Sequence, residues 1–151
     1  MYHEIYRPEE RDRLRGLTNP SYNTERDAFR KQMAWLFANN VKTLTIDDLI
    51  SQKSPPEERA ICLTFDDGWL GNYLHAYPIL KEYGFKATFF VATELLGKPL
   101  YMTWEHLNQM KASGMTIQSH TVTHRPLGRM EEKEIIFELQ ESKKAIEEKL
   151  G

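Results

Sequence analysis

The stretch Leu63-Thr64-Phe65-Asp66-Asp67-Gly68 decides how this chain is read. The apolar run before it, Ala60-Ile61-Cys62-Leu63, has the length and composition of a buried strand, and it stops at two adjacent carboxylates and a glycine. Packing does not call for carboxylates at such a place. Buried without partners they cost several kcal/mol or stay protonated. Successive strand side chains point to opposite faces, so Asp66 and Asp67 cannot serve one atom in the same way. That arrangement suits a division of labour, one carboxylate holding a cation and the other polarising a water. A turn closed by Gly68 is the plain structural alternative.

A second stretch, Ser119-His120-Thr121-Val122-Thr123-His124-Arg125-Pro126, follows another strand-like run, Met115-Thr116-Ile117-Gln118. Two histidines four apart lie one above the other if the chain makes a helical turn there, and both imidazoles then reach one metal. The spacing alone says little. Placed directly after a strand, together with a strand-ending Asp-Asp, it says more. Two imidazoles and one carboxylate leave coordination positions open, as a hydrolytic metal site requires.

Thr64-Phe65-Asp66-Asp67-Gly68 and His120-Thr121-Val122-Thr123-His124 resemble the first two motifs of the polysaccharide deacetylases, the NodB-homology or carbohydrate esterase four family. Ala76-Tyr77-Pro78-Ile79-Leu80 through Gly84-Phe85-Lys86-Ala87-Thr88-Phe89-Phe90-Val91 is similar to the helix and strand between those motifs. The resemblance runs from about residue 59 to Gly151. Met1-Tyr2-His3-Glu4-Ile5 is similar to the opening of members that act on poly-N-acetylglucosamine. The resemblance implies that Asp67, His120 and His124 hold a divalent metal, most often Zn2+, and that Asp66 is the general base. It also implies an acetylated amino-sugar polymer as partner and substrate, acetate and a free amino sugar as products, and a secreted or cell-surface setting. Trp69, just after the Asp-Asp-Gly turn, is placed to face a sugar ring or to pack at the rim. His3, His75 and His106 are expected in surface or packing roles, as are Trp35 and Trp104 in packing.

The family's later motifs supply an arginine, an aromatic-proline segment, a tryptophan wall and a Leu-x-His acid. Residues 1–151 stop where the strand of the third motif is expected, so the reading anticipates one domain that is the N-terminal part of a barrel. It anticipates an open side that self-associates or relies on further chain, and weak activity with metal binding kept. A non-catalytic piece that retains a metal or carbohydrate site is the alternative.

Composition agrees with a folded α/β domain. Apolar residues make up 40% of the 151, enough for a core, and a chain of this size typically buries about 70% of its unfolded surface. The net charge of −2 recommends neither nucleic acid nor an anionic membrane. The single cysteine, Cys62, excludes an internal disulfide. No apolar run is long enough to span a bilayer, and no signal peptide is visible at Met1-Tyr2-His3-Glu4.

Periodicity predicts a first strand over residues 3–6 and a helix from Thr24, as cap, to residue 39. Next come a strand over 41–45 and a short helix over 46–51 capped by Thr45. After a turn over 54–58 and the Asp-Asp strand, residues 69–83 read as a helix interrupted at Pro78 and stopped by Gly84. A strand over 86–92, a helix from Thr103 to Gly114 and the histidine strand follow. The last helix, over 130–150, carries Ile135, Leu139, Ile146 and Leu150 on one stripe. Alternating strands and helices imply parallel strands with crossover helices, part of a distorted (β/α) barrel by the resemblance. In such folds functional groups gather at the carboxyl ends of the strands, where both motifs lie.

Overall fold

The computed structural model describes residues 1–51 and 59–151; the turn expected over 54–58 lies outside them. Its strands are β1 (Ile5–Tyr6), β2 (Thr24–Glu25), β3 (Lys42–Leu44), β4 (Ala60–Cys62), β5 (Thr64–Phe65), β6 (Thr88–Val91) and β7 (Thr116–Ser119). The helices are α1 (Arg11–Leu14), α2 (Arg26–Ala38), α3 (Ile46–Ser51), α4 (Tyr77–Tyr83), α5 (Trp104–Ala112) and α6 (Glu132–Leu150). All four strand pairings among the described residues are parallel, β1 with β2, β3 with β4, and β6 between β5 and β7. Tyr2 bridges to Phe65, so the N-terminal segment lies along the free edge of β5. The fold is α/β, parallel strands joined by helices.

Local sequence explains most boundaries. Thr45 Oγ1 accepts the Asp48 N–H at 3.0 Å, and the Asp48 carboxylate accepts the Thr45 N–H at 2.9 Å, a reciprocal cap for α3. Thr103 caps α5 through the His106 N–H, and His106 Nδ1 accepts the Thr103 N–H at 3.2 Å in return. Pro78 lies just after a π-helical turn over Asn72–Ala76 that continues directly into α4, and this widened turn accommodates the hydrogen bond that its missing N–H cannot make. Gly84 ends α4 at φ +68°, the left-handed cap glycine adopts freely.

The core is aromatic at its centre. Phe65 and Phe89, side by side on β5 and β6, stack at 4.6 Å, and Phe29 of α2 meets Phe65 edge-on at 5.8 Å. Tyr2 covers both Phe29 and Phe65 at 5.0 and 5.2 Å. Each buried phenylalanine contributes roughly 1.5–3 kcal/mol. This layer carries the carboxyl end of β5, and with it Asp66 and Asp67.

Three expectations change. Thr24 lies in β2 rather than capping α2, because its N–H donates to the Glu4 carbonyl at 2.9 Å and pairing with β1 takes precedence. Trp35 is 56% exposed instead of packed. In α6, Leu139 faces solvent while Glu138 and Ser142 are buried. The inward face thus runs through positions 135, 138, 142 and 146, a helical spacing with polar groups at its middle.

Candidate metal and catalytic site

Asp67 follows β5 in a left-handed conformation, φ +73°, and Gly68 continues at φ +87°. This bend turns the Asp67 carboxylate back over the end of β5 to a depth where the residue is only 6% exposed. Gly68 packs so closely on Val91 that an added Cβ would sit 3.3 Å from its Cγ1. The neighbouring strand β7 ends at Ser119, and His120 donates its N–H to the Val91 carbonyl at 2.9 Å. The His120–His124 segment is not the helical turn that the spacing suggested. Thr121 and His124 are left-handed, at φ +69° and +62°, and this doubly bent loop brings the two rings to 5.1 Å. Three of the five non-glycine residues with positive φ among those described therefore belong to this site. For the β-branched Thr121 that conformation costs on the order of 1–2 kcal/mol, which the surrounding structure must offset.

Asp67 Oδ1 faces His124 Nε2 at 3.0 Å and His120 Nε2 at 3.4 Å. These ligand atoms lie within 4.8 Å of one another. Asp67 Oδ1 is buried yet makes no hydrogen bond with proper geometry, an orphaned acceptor between two imidazole nitrogens. One carboxylate oxygen and two imidazoles suit zinc, and the unsatisfied oxygen is what a bound cation would satisfy. The other oxygen, Oδ2, accepts the Trp69 indole N–H at 2.9 Å. Burial alone would push the Asp67 carboxyl up, but the adjacent His120 and His124 imidazoles and the indole N–H outweigh it and hold it far below the usual carboxylate range. The same contact with Asp67 raises His124.

Asp66 points elsewhere. Its Oδ2 lies 4.0 Å from His3 Nε2, and burial pushes its carboxyl above the ordinary value against the pull of His120 and His3. The more basic carboxylate is thus the one not aimed between the histidines. Trp69 is 6% exposed and stacks on Tyr101 at 4.5 Å, so its indole N–H orients Asp67 while its ring borders a cavity.

The loop between the histidines is held by a residue that sequence reasoning passed over. Glu138 of α6, 1% exposed, accepts the Val122 N–H at 2.7 Å, the Thr123 N–H at 2.8 Å and the Thr123 hydroxyl at 2.5 Å. Ser142, one turn on, meets the Ser119 hydroxyl at 2.7 Å. A buried acid in a highly charged helix leaves no periodic mark beyond its i, i+4 spacing from Ser142. Arg125 pairs with Glu134 at 3.3 Å.

The remaining histidines divide. His75 is buried against Glu10, 2.7 Å away, and His106 closes the α5 cap and stacks on Tyr73 at 4.1 Å. Both are structural. His3 packs on Tyr22 and lines a cavity of about 280 Å³ together with Asp67, His124, Trp69 and Tyr101. No described helix is long and apolar enough to cross a membrane.

Several known proteins are similar to this chain. A putative polysaccharide deacetylase, YxkH, of Bacillus subtilis is 35% identical over 130 residues, which are 84% of this chain and 47% of that protein. Poly-beta-1,6-N-acetyl-D-glucosamine N-deacetylase of Staphylococcus epidermidis is 29% identical over 109 residues, 67% of this chain and 38% of its own length. The chain thus spans less than half of either relative. The structure of the Streptococcus pyogenes deacetylase PplD in complex with acetate superposes with a TM-score of 0.87 at 31% identity, covering 99% of this chain and 67% of that one. The strands and helices described above are therefore part of a distorted barrel. The family model for polysaccharide deacetylase matches residues 53–151, the span that holds Asp66, Asp67, His120, His124 and Glu138, and on that match the chain belongs to the polysaccharide deacetylase family.

Proposed function

We propose that this chain carries the metal-holding and base-bearing part of an N-deacetylase acting on an acetylated amino-sugar polymer, poly-N-acetylglucosamine, peptidoglycan or chitin-like. The observation that carries the reading is the orphaned Asp67 Oδ1 between His124 and His120, with a second, more basic carboxylate at Asp66 beside it. Asp67, His120 and His124 would hold a divalent ion, zinc by the chemistry of the donor set. When bound, such an ion polarises the acetyl carbonyl and lowers the pKa of a water to about 7. Asp66 receives the proton of the attacking water as the new C–O bond forms at the acetyl carbon, a role worth roughly 10²–10⁴ in rate. The C–N bond then breaks, the amine nitrogen takes up a proton, and acetate and the free amino sugar leave. The Trp69 N–H and the Glu138-braced loop keep the three ligand groups in place.

Two relatives support the substrate class: one is named for poly-beta-1,6-N-acetyl-D-glucosamine, and the other binds acetate in its structure. The test is acetate release from acetylated amino-sugar oligomers by the zinc-loaded protein, run on residues 1–151 and on a version extended past Gly151. Asp66→Asn should keep zinc and lose activity by at least about 100-fold. Acetate release that Asp66→Asn leaves within a few-fold would contradict the assignment.

A further inference from the structure

The family match begins at residue 53, yet part of the cavity beside Asp67 is built from residues before it. His3 and Tyr22 stack face to face at 4.8 Å and 18°. Trp69 and Tyr101, which line the same cavity, stack at 4.5 Å and 23°. Asp67 and His124 line the space that both pairs border, and Asn19 and Asn23 line it on the Tyr22 side. The segment carrying Tyr22 is anchored at both ends. Leu14 before it is 3% exposed, and Thr24 after it pairs with Ile5 in the β1–β2 ladder. Between these anchors the Asn19 side chain accepts the Ser21 N–H at 3.0 Å and the Asn23 amide donates to Thr18 Oγ1 at 2.6 Å. Asn23 Oδ1 remains buried without a partner. Tyr22 itself is 54% exposed, an aromatic held in place by its neighbours but not covered by them.

An exposed aromatic ring on an anchored loop, sharing a cavity with a second aromatic pair and with polar amides, is how a protein meets a pyranose. The apolar face of the sugar lies on the ring, and its hydroxyl and acetamido groups find hydrogen bonds at the edge. A cavity of about 280 Å³ holds one such unit, not a chain of them.

We infer that the N-terminal segment, through the His3–Tyr22 stack and the Asn19–Asn23 loop, forms the specificity wall that seats one N-acetylhexosamine unit of the polymer over the Asp67–His120–His124 centre. The inference deepens the deacetylase reading above and rests on it. It assigns substrate recognition to residues that precede the span matched by the family model. Tyr22 is a binding residue in this account. His3, held flat against it, is a positioning residue whose Nε2 edge is turned to Asp66.

The test is calorimetric titration of the zinc-loaded protein with an N-acetylglucosamine tetramer and, separately, with the same tetramer fully de-N-acetylated. The unsubstituted protein should bind the acetylated tetramer more tightly. Tyr22→Ala should weaken that binding threefold to tenfold, about 0.7–1.4 kcal/mol, and Tyr22→Phe should restore it. Because Tyr22 is half exposed, both variants should melt within about 2 °C of the unsubstituted protein. Affinity unchanged by Tyr22→Ala overturns the wall while leaving the deacetylase reading in place. Absence of binding to either tetramer by the unsubstituted protein overturns the acetylated-sugar reading itself, and the wall with it.

Discussion

Glu138→Ala is the most informative single substitution outside the ligands. The carboxylate accepts three hydrogen bonds, from the Val122 N–H, the Thr123 N–H and the Thr123 hydroxyl, at 2.7, 2.8 and 2.5 Å. Burial pushes its carboxyl up, but these three donors outweigh it and hold the group below the ordinary glutamate value. A hydrogen bond to a charged group contributes about 1.5–3 kcal/mol net, and three made by one side chain are not additive. Truncation also leaves the N–H donors of the half-buried Val122 and Thr123 without their acceptor. The expected loss is on the order of 3–5 kcal/mol, a melting shift of roughly 6–20 °C for a chain of this length. Glu138→Gln keeps an acceptor for the two N–H groups and presents its amide to Thr123 Oγ1, so it should lose only about 1–2 kcal/mol. Zinc affinity should follow the same order, because the loop carries both histidines. The assays are thermal unfolding and zinc competition with a chromophoric chelator. Glu138→Ala that melts within 1 °C of the unsubstituted protein and binds zinc equally well would refute the bracing role.

Three further outcomes follow from the same contacts. Asp67→Asn should lower zinc affinity by at least about tenfold in the chelator assay, whereas Asp66→Asn should leave it within about twofold, since only Asp67 faces both imidazoles. The Glu4 carboxyl, 1% exposed, is pushed up to about 8 by burial, so the folded protein holds a proton there that the unfolded chain releases near pH 4.5. Stability should therefore be greatest below pH 4.5 as far as this group is concerned, and fall by a few kcal/mol between about pH 4.5 and 8. Urea titrations at several pH values should show this slope in the unsubstituted protein and lose it in Glu4→Gln. Gly71→Ala should destabilise by about 1–3 kcal/mol or more in thermal melts, because its Cβ would collide with the Ile5 carbonyl oxygen and the Glu4 carboxylate.

What the sequence made legible was local. The Asp-Asp-Gly stop, the Thr45 and Thr103 caps, Pro78 and Gly84 each act within four residues, and the start of α3 follows from the Thr45 cap. The two motifs could be placed at one end of a parallel sheet because a strand runs directly into each. What was not legible depends on contacts across the chain. His3 reaches Asp66 only because Tyr2 adds to the edge of β5, and Tyr22 reaches His3 only because β2 pairs with β1. Glu138 looked like one more solvated charge, and Leu139 like the core, because the helix turns a polar pair inward to meet a loop that its own sequence cannot specify. The histidine pair was read through helical spacing, whereas left-handed residues at Thr121 and His124 do the same work in a loop.

Asp67, His120 and His124 should act as one metal centre, and direct titration of the metal-free protein with Zn2+ tests this. The expected result is one zinc per chain, with that site lost in Asp67→Ala and in His124→Ala while Glu10→Ala and Asp47→Ala keep it. No zinc binding by the folded protein, or binding that survives both ligand substitutions unchanged, would contradict it.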